Sequence, residues 1–209
     1  MKKLIAVLMM LCLLGGAAMA ETSPRILIAY VSRAGENYNV GVTDPDSASA
    51  AYAGYVEKGN TEIVAETLAE LTGGDLYRIT TVEPYPDDYA SMLKRAQDEL
   101  DADARPELAG ELPNLENYDI IMIGYPIWHG ATPRPVLTFL ESDDLSGKKL
   151  VPFNTHEGSG QGRTVTEIAA SAPNAEMLDG IAIQGKVAQE DAERTREWLT
   201  EWLRETGLD

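Results

Sequence analysis

Apolar and polar positions follow two alternating rhythms along the chain from residue 25 onward. Short, nearly continuous apolar runs are typical of strands that are buried on both faces. Segments with apolar residues three and four positions apart are typical of amphipathic helices. The predicted strands are residues 25–31, 75–81, 118–124, 149–153 and 176–183. The predicted helices run from about Thr61 to a stop at Gly73 and Gly74, and then over 89–101, 135–140, 163–170 and 188–205.

Strict alternation of strands and helices predicts the α/β class, with a five-stranded parallel sheet that carries helices on both faces. Such doubly wound sheets bind ligands outside the carboxyl ends of the strands, beside the point where the strand order reverses. Pro152 is expected to weaken or end the fourth strand. In the last helix, Trp198 and Trp202 are expected to pack into the core.

The first twenty residues have the features of a secretory signal peptide. Lys2 and Lys3 precede a short apolar run at 4–14, and Ala18 and Ala20 flank a cleavage position of the small-x-small type. An uncleaved membrane anchor is the alternative, although the run is short for a bilayer. We therefore expect residues 1–20 to be removed, leaving an exported domain, periplasmic or secreted, over 21–209 without a stable membrane span.

Composition limits the chemistry of that domain. Cys12 is the only cysteine, so the mature protein has no disulfide, thiolate nucleophile or cysteine-held metal. Loss of Lys2 and Lys3 takes the formal net charge from −17 to about −19, which disfavours nucleic acid and anionic lipid as partners. The acidity would steer basic partners toward the surface, or it simply keeps an exported protein soluble.

The loop after the first strand has the residue types that bind a phosphate monoester: hydroxyls, a glycine and a basic side chain. This loop consists of Ser32, Arg33, Ala34, Gly35, Glu36 and Asn37. The first helix does not follow directly, because an insertion at 38–59 intervenes. Asn60 and Thr61 then form a second candidate anchor, with either residue as the helix cap. The insertion is interpreted as a lid, a partner-docking loop or a surface excursion.

Two further loops follow the third and fourth strands. The first contains Pro126, Ile127, Trp128, His129 and Gly130, and the second contains Thr155, His156, Glu157, Gly158, Ser159 and Gly160. An exposed Trp128 would stack on a planar ring, whereas the alternative is that it returns to the core. Glycines in the second loop would let backbone amides approach a heteroaromatic edge. The two histidines of the chain lie in these two loops, one in each, but no spacing of carboxylates supports a metal site.

Taken in order, these segments resemble the flavodoxin family, and in particular flavodoxin-like proteins whose second segment reads Gly-Tyr-Pro-x-Trp. The resemblance covers nearly all of the mature chain. It implies the strand order 2-1-3-4-5 and one non-covalent FMN. It also implies that Ser32 to Asn37 with Asn60 and Thr61 hold the phosphate, that Pro126 to Gly130 flank the isoalloxazine, and that Thr155 to Gly160 contact its pyrimidine edge. The split phosphate loop and the export signal depart from the usual family pattern.

The resemblance indicates electron transfer by FMN outside the cytoplasm, in which no side chain is catalytic and the partner is a redox protein or a small electron donor or acceptor. One alternative is an FMN-dependent NAD(P)H or quinone reductase, in which His129 or His156 would donate a proton. Another is a flavin-binding module without redox activity, because fold alone does not establish function.

Overall fold

A parallel sheet forms the centre of the computed structural model, which describes residues 24–33, 58–86 and 89–209. The strands are β1 (Ile26–Tyr30), β2 (Asp75–Arg78), β3 (Ile120–Pro126), β4 (Lys149–His156), β5 (Glu176–Met177) and β6 (Ile181–Gln184). The helices are α1 (Asn60–Thr72), α2 (Tyr89–Asp101), α3 (Arg134–Leu140), α4 (Thr164–Ser171), α5 (Gly185–Glu190) and α6 (Ala192–Thr206), with a short 3-10 turn at Leu115–Asn117.

The strand order is β2-β1-β3-β4-β5, and β6 also pairs with β4. All pairs are parallel, so the predicted order 2-1-3-4-5 is confirmed, with β5 and β6 sharing the fifth position. Because β2 lies on one side of β1 and β3 on the other, the order reverses at β1. The crevice beside that reversal is where such sheets bind ligands.

Alternate residues of the buried strands supply two cores. Leu27 and Ile121 face the side covered by α2, α3 and α4, whereas Ile28 and Met122 face the side covered by α1, α5 and α6. Every residue of β1 and β3 is buried, which explains their continuous apolar runs. Each fully buried aliphatic side chain contributes about 1.5–3 kcal/mol to stability.

Pro152 does not end the fourth strand, because β4 continues to His156. The Leu150 carbonyl accepts a hydrogen bond from Leu178 N–H, so the backbone groups of Leu150 point toward the fifth strand position of the sheet. The backbone groups of every second residue in a strand point the same way, and those of Pro152 therefore also point toward the fifth position. There the neighbouring strand is interrupted between Met177 and Ile181. The absent N–H of Pro152 therefore falls opposite the gap between β5 and β6, and the ladder tolerates the proline.

The predicted last helix is divided into α5 and α6 at Asp191. The Asp191 carboxylate accepts a hydrogen bond from Arg194 N–H at 3.0 Å, so it caps α6. Trp202 is buried and its indole N–H donates to the Asp179 carbonyl at 2.9 Å, but Trp198 is 40% exposed. The expected core position is thus confirmed for Trp202 and wrong for Trp198. Within the described residues, no helix has both the length and the apolar character to cross a bilayer.

Candidate functional site

Parallel pairing brings the predicted loops to one edge of the sheet. Tyr30 of β1 pairs with Gly124 of β3, and Pro126 at the end of β3 pairs with Thr155 of β4. His156 at the end of β4 pairs with Gln184, directly before α5. The loops after β1, β3, β4 and β6 therefore share the carboxyl edge of the sheet.

Ser32 and Arg33 follow β1 and are both buried. The Ser32 carbonyl accepts from the Arg78 guanidinium at 2.9 Å, and Arg33 Nη2 donates to the Pro86 carbonyl at 2.7 Å. These bonds fasten the end of β1 to β2 and to the loop behind it. Ala34, Gly35, Glu36, Asn37 and insertion residues 38–57 lie outside the described residues, so their phosphate contacts stay predictions.

The second anchor lies at the start of α1. Asn60 and Thr61 are almost fully buried, but neither is the cap. The capping position is Gly59, which has no side chain to accept a bond, so the expectation of an Asn60 or Thr61 cap is wrong. Backbone N–H groups in the first turn of a helix bind anions well, because they point along the positive end of the helix dipole.

The Thr61 hydroxyl bonds to the Thr155 hydroxyl at 2.8 Å, and both side chains are buried. This contact joins the start of α1 to the end of β4, across the face of the sheet that α1 covers. Gly185 at the start of α5 lies against Asn60 and Glu157 so closely that a side chain there would collide with both. The second anchor and the loop after β4 are therefore held together.

Replacing either threonine with valine is expected to lower the free energy of unfolding by about 0.5–1.5 kcal/mol, because the hydrogen bond between the two buried hydroxyls is lost. The double variant should lose less than the sum of the two single losses. Urea unfolding of the four proteins measures this coupling. Thr200→Val is the control, because the Thr200 hydroxyl donates to the Arg196 carbonyl within the same helix. Strictly additive losses in the double variant would contradict the coupling.

The loop after β3 closes as a tight turn between Trp128 and Ala131. Trp128 N–H donates to the Ala131 carbonyl at 3.2 Å, and Ala131 N–H donates to the Trp128 carbonyl at 2.9 Å. The two central residues, His129 and Gly130, have φ of 52° and 70°. Consecutive left-handed residues of this kind form a type I′ turn. His129 is exposed and its Nε2–H donates to the Leu93 carbonyl at 3.0 Å, which holds the turn against α2.

Trp128 is 3% exposed, so the exposed indole predicted from the sequence is wrong. The Trp128 ring packs edge-on against Tyr85, with centroids 4.9 Å apart and planes at 62°. Tyr85 belongs to the loop after β2, and its hydroxyl donates to Glu99 at 2.5 Å. Burial and the neighbouring Glu99 carboxylate raise the pKa of Tyr85 well above its usual range. Contact between Trp128 and a planar ligand stays a prediction.

The sequence reasoning missed Tyr85 as a neighbour of the site. Its signal was present, because Tyr85 lies between Pro84 and Pro86, only a few residues after the end of a predicted strand. Loops at the carboxyl ends of strands are polar as a rule, so an aromatic residue between prolines there indicates packing against another loop.

The loop after β4 is held by its own side chains. Gly158 N–H donates to His156 Nδ1 at 2.9 Å, and Asn154 Nδ2 donates to the Gly160 carbonyl at 3.1 Å. Gly162 lies against Gly130, and Arg163 N–H donates to the Gly130 carbonyl at 3.3 Å. The loops after β3 and β4 therefore touch along their backbones. Ser159 is exposed, and Thr155 is buried at the start of the segment.

Two titratable groups in this loop have shifted pKa values. Burial lowers the pKa of His156 below 6.5, and its Nδ1 accepts from Gly158 N–H, so the neutral ring carries its proton on Nε2. Burial raises the pKa of Glu157 above 4.5, against the opposing hydrogen bonds from Lys186 N–H and the Gln184 side chain. A neutral imidazole and a carboxyl group that resists ionisation thus lie beside each other in the chain.

The lowered pKa of His156 predicts a pH dependence of stability. Below pH 6.5, His156 binds a proton more readily in the unfolded chain than in the folded protein. The free energy of unfolding therefore decreases as the pH is lowered. The decrease in the free energy of unfolding between pH 7 and pH 5 should be larger for the wild type than for His156→Asn. The asparagine keeps a hydrogen-bond acceptor for Gly158 N–H but does not titrate. Glu157 is present in both proteins and cancels in the comparison. His129→Asn is the control, and equal losses for wild type and His156→Asn would contradict the prediction.

Buried polar atoms at this edge that have no hydrogen-bond partner within the described part of the chain include Trp128 Nε1, Asn154 Oδ1 and Glu157 Oε1. A buried polar group left without a partner costs about 1–3 kcal/mol. Orphaned groups of this kind are rare in folded proteins and mark places where a ligand or water completes the structure.

The comparisons with known proteins agree with this geometry. A family model described as Flavodoxin matches residues 49–204. A protein assigned as a flavoprotein from Bacteroides eggerthii is 30% identical with a TM-score of 0.63, and the match covers 85% of this chain and 97% of that chain. A similarly assigned protein from Bacteroides uniformis is 26% identical with a TM-score of 0.65, covering 86% and 99%.

A third solved structure, a flavoprotein in complex with FMN from Lactobacillus acidophilus, is 21% identical with a TM-score of 0.57, and the match covers 76% of this chain and 93% of that chain. At that identity the likeness concerns the fold. None of the curated protein sequences matches the chain.

Proposed function

Because the chain belongs to the flavodoxin family, we propose that it binds FMN at the carboxyl edge of the sheet and transfers electrons outside the cytoplasm. The observation that carries the proposal is the convergence of the loops after β1, β3 and β4 beside the reversal of strand order. Flavodoxin-like sheets bind FMN at that reversal.

The residues present fit a phosphorylated flavin. At one end, the start of α1 has buried Asn60 and Thr61 behind a glycine cap, which suits a phosphate dianion. At the other end, Trp128 Nε1 and Asn154 Oδ1 offer a buried donor and a buried acceptor. Flavin heterocycles have both acceptor and donor groups on their edges. The segment at 158–162 contributes small residues whose backbone can approach such an edge closely.

FMN, when bound, supplies the one- and two-electron chemistry, and the protein supplies binding, position and electrostatics. The turn from Trp128 to Ala131 and the loop after β4 support the site from two sides and touch at Gly130 and Gly162. His156 is neutral near pH 7 because its pKa is lowered, so it adds no positive charge there. The acidic chain favours basic redox partners.

A flavin titration tests the proposal. Purified protein that lacks residues 1–20 is mixed with FMN, and visible absorbance, retention on a desalting column and a redox titration are recorded. We expect FMN to be retained and reversibly reduced; a protein that does not retain FMN would overturn the proposal. Rapid oxidation of NAD(P)H by the loaded protein would favour a reductase, and retained FMN that cannot be reduced would favour a module without redox activity.

Export is part of the proposal and rests on the features of residues 1–20. The full chain is produced in a bacterial host, and the periplasmic fraction is examined by intact-protein mass spectrometry. We expect a product that begins at Glu21, after Ala20. A full-length product confined to the cytoplasm or held in the membrane would contradict export while leaving FMN binding to be judged by the titration.

A further inference from the structure

Asn154 lies in β4, directly before the residues Thr155 to Gly160 that the family resemblance implies for cofactor binding. It pairs in register with Tyr125 of β3 and is 1% exposed. Its Nδ2 donates to the Gly160 carbonyl, four residues beyond the end of β4. The amide therefore extends along the strand toward the carboxyl edge, into the region enclosed by the glycine-containing loop.

The orientation of this amide is settled by its partner. A backbone carbonyl can only accept a hydrogen bond, so the atom that faces Gly160 is the nitrogen and the remaining atom is the oxygen. Asn154 Oδ1 is buried and has no partner within the described residues. The carboxyl edge of the sheet thus contains a fixed, buried hydrogen-bond acceptor, Asn154 Oδ1, which a ligand N–H group could satisfy.

Trp128 provides an independent observation of the opposite polarity. Its Nε1–H is also buried and has no partner within the described part of the chain. Trp128 lies two residues beyond Pro126, the last residue of β3, and Pro126 pairs with Thr155, the neighbour of Asn154. One donor and one acceptor therefore lie at the ends of adjacent strands.

An imide edge, in which an N–H lies between two carbonyl groups, has the chemistry that satisfies both atoms. The pyrimidine part of a flavin has such an edge, whereas a phosphate has acceptors alone. We propose that Asn154 Oδ1 accepts a hydrogen bond from the imide N–H of the bound flavin and that Trp128 Nε1 donates to a carbonyl of the same edge. This assignment rests on the proposed function and makes Asn154 a specificity-determining residue.

Ligand and protein are changed in turn to test it. The affinities of the protein without residues 1–20 for FMN and for FMN methylated at N3 are measured by quenching of flavin fluorescence. The wild type should prefer FMN by about tenfold or more, because methylation removes the donor for Asn154. In Asn154→Leu the affinity for FMN should fall, and the preference should shrink toward one. Asn174→Leu, in the exposed turn before β5, is the matched control and should keep both affinities.

The outcomes separate this inference from the proposed function. FMN binding by the wild type without any preference over the methylated flavin would overturn the imide contact while leaving the proposed function standing. Equal weakening of both flavins in Asn154→Leu would mean that Asn154 only anchors the loop through Gly160, which also overturns it. No flavin binding by the wild type would overturn the proposed function. If Asn154→Leu does not fold, Asn154→Ser removes the same acceptor, and the wild-type comparison decides by itself.

Discussion

Replacing Trp128 with alanine is expected to lower the free energy of unfolding by about 3–5 kcal/mol, the usual cost of removing a buried large aromatic side chain. Trp128 is 3% exposed and packs against Tyr85 and the core formed by α2, α3 and α4. The variant should also weaken FMN binding at least tenfold, because the loop after β3 loses the side chain that anchors it. Urea unfolding without cofactor and a flavin titration measure the two effects separately.

Two other tryptophan variants make this prediction specific. Trp198→Ala removes the same side chain from an exposed position on α6 and should cost less than about 1 kcal/mol. Trp128→Phe keeps most of the aromatic packing but removes Nε1–H, so it should affect flavin affinity more than stability. If Trp128→Ala and Trp198→Ala cost the same, the buried position of Trp128 is wrong.

The variant Gly162→Ala is expected to lower the free energy of unfolding by about 2–4 kcal/mol and to weaken flavin binding at least tenfold. Gly162 has a φ of 56°, a left-handed conformation that costs a residue with a side chain about 1–2 kcal/mol. A methyl group there would also come within 2.7 Å of the Gly130 carbonyl oxygen, which is backbone and cannot turn aside. The two loops that flank the proposed flavin site would be forced apart.

Gly160→Ala is the matched control for this variant. Gly160 has a similar φ of 62°, but an added methyl group would meet no atom within 4 Å. Its substitution should therefore cost the backbone strain alone, and its loss of stability should be clearly smaller than that of Gly162→Ala. Equal losses of stability in the two variants would show that the contact between Gly162 and Gly130 does not hold the loops together.

Local patterns predicted most of the fold because its elements depend on nearby residues. The apolar run that became β1 and the α1 helix that ends before Gly73 are defined within a dozen residues. Pro152 was misread because tolerance of a proline depends on the strand beside it, and that strand is interrupted where the proline lies. The division at Asp191 has a local signal, an aspartate before Ala192, which the strong apolar spacing of the last helix concealed.

The sequence predicted which loops form the candidate site better than it predicted the contacts of their side chains. Parallel topology brings the loops after β1, β3 and β4 together, and the sequence could therefore indicate them. It could not indicate that Tyr85, more than forty residues away, covers Trp128, nor that Asn154 turns one end of its amide toward Gly160. Such contacts depend on tertiary packing, which local sequence patterns do not indicate.

The interrupted fifth position of the sheet has a consequence for how copies of this protein meet. Edge strands with long rows of unpaired N–H and C=O groups invite another chain to add a strand, which leads to aggregation. Here one edge is formed by strands of two and four residues separated by a break, and the other by the four residues of β2. In the part of the chain that the structure describes, neither edge is long enough to template an extended intermolecular sheet. Together with the strongly acidic charge, this geometry favours molecules that stay apart at high concentration.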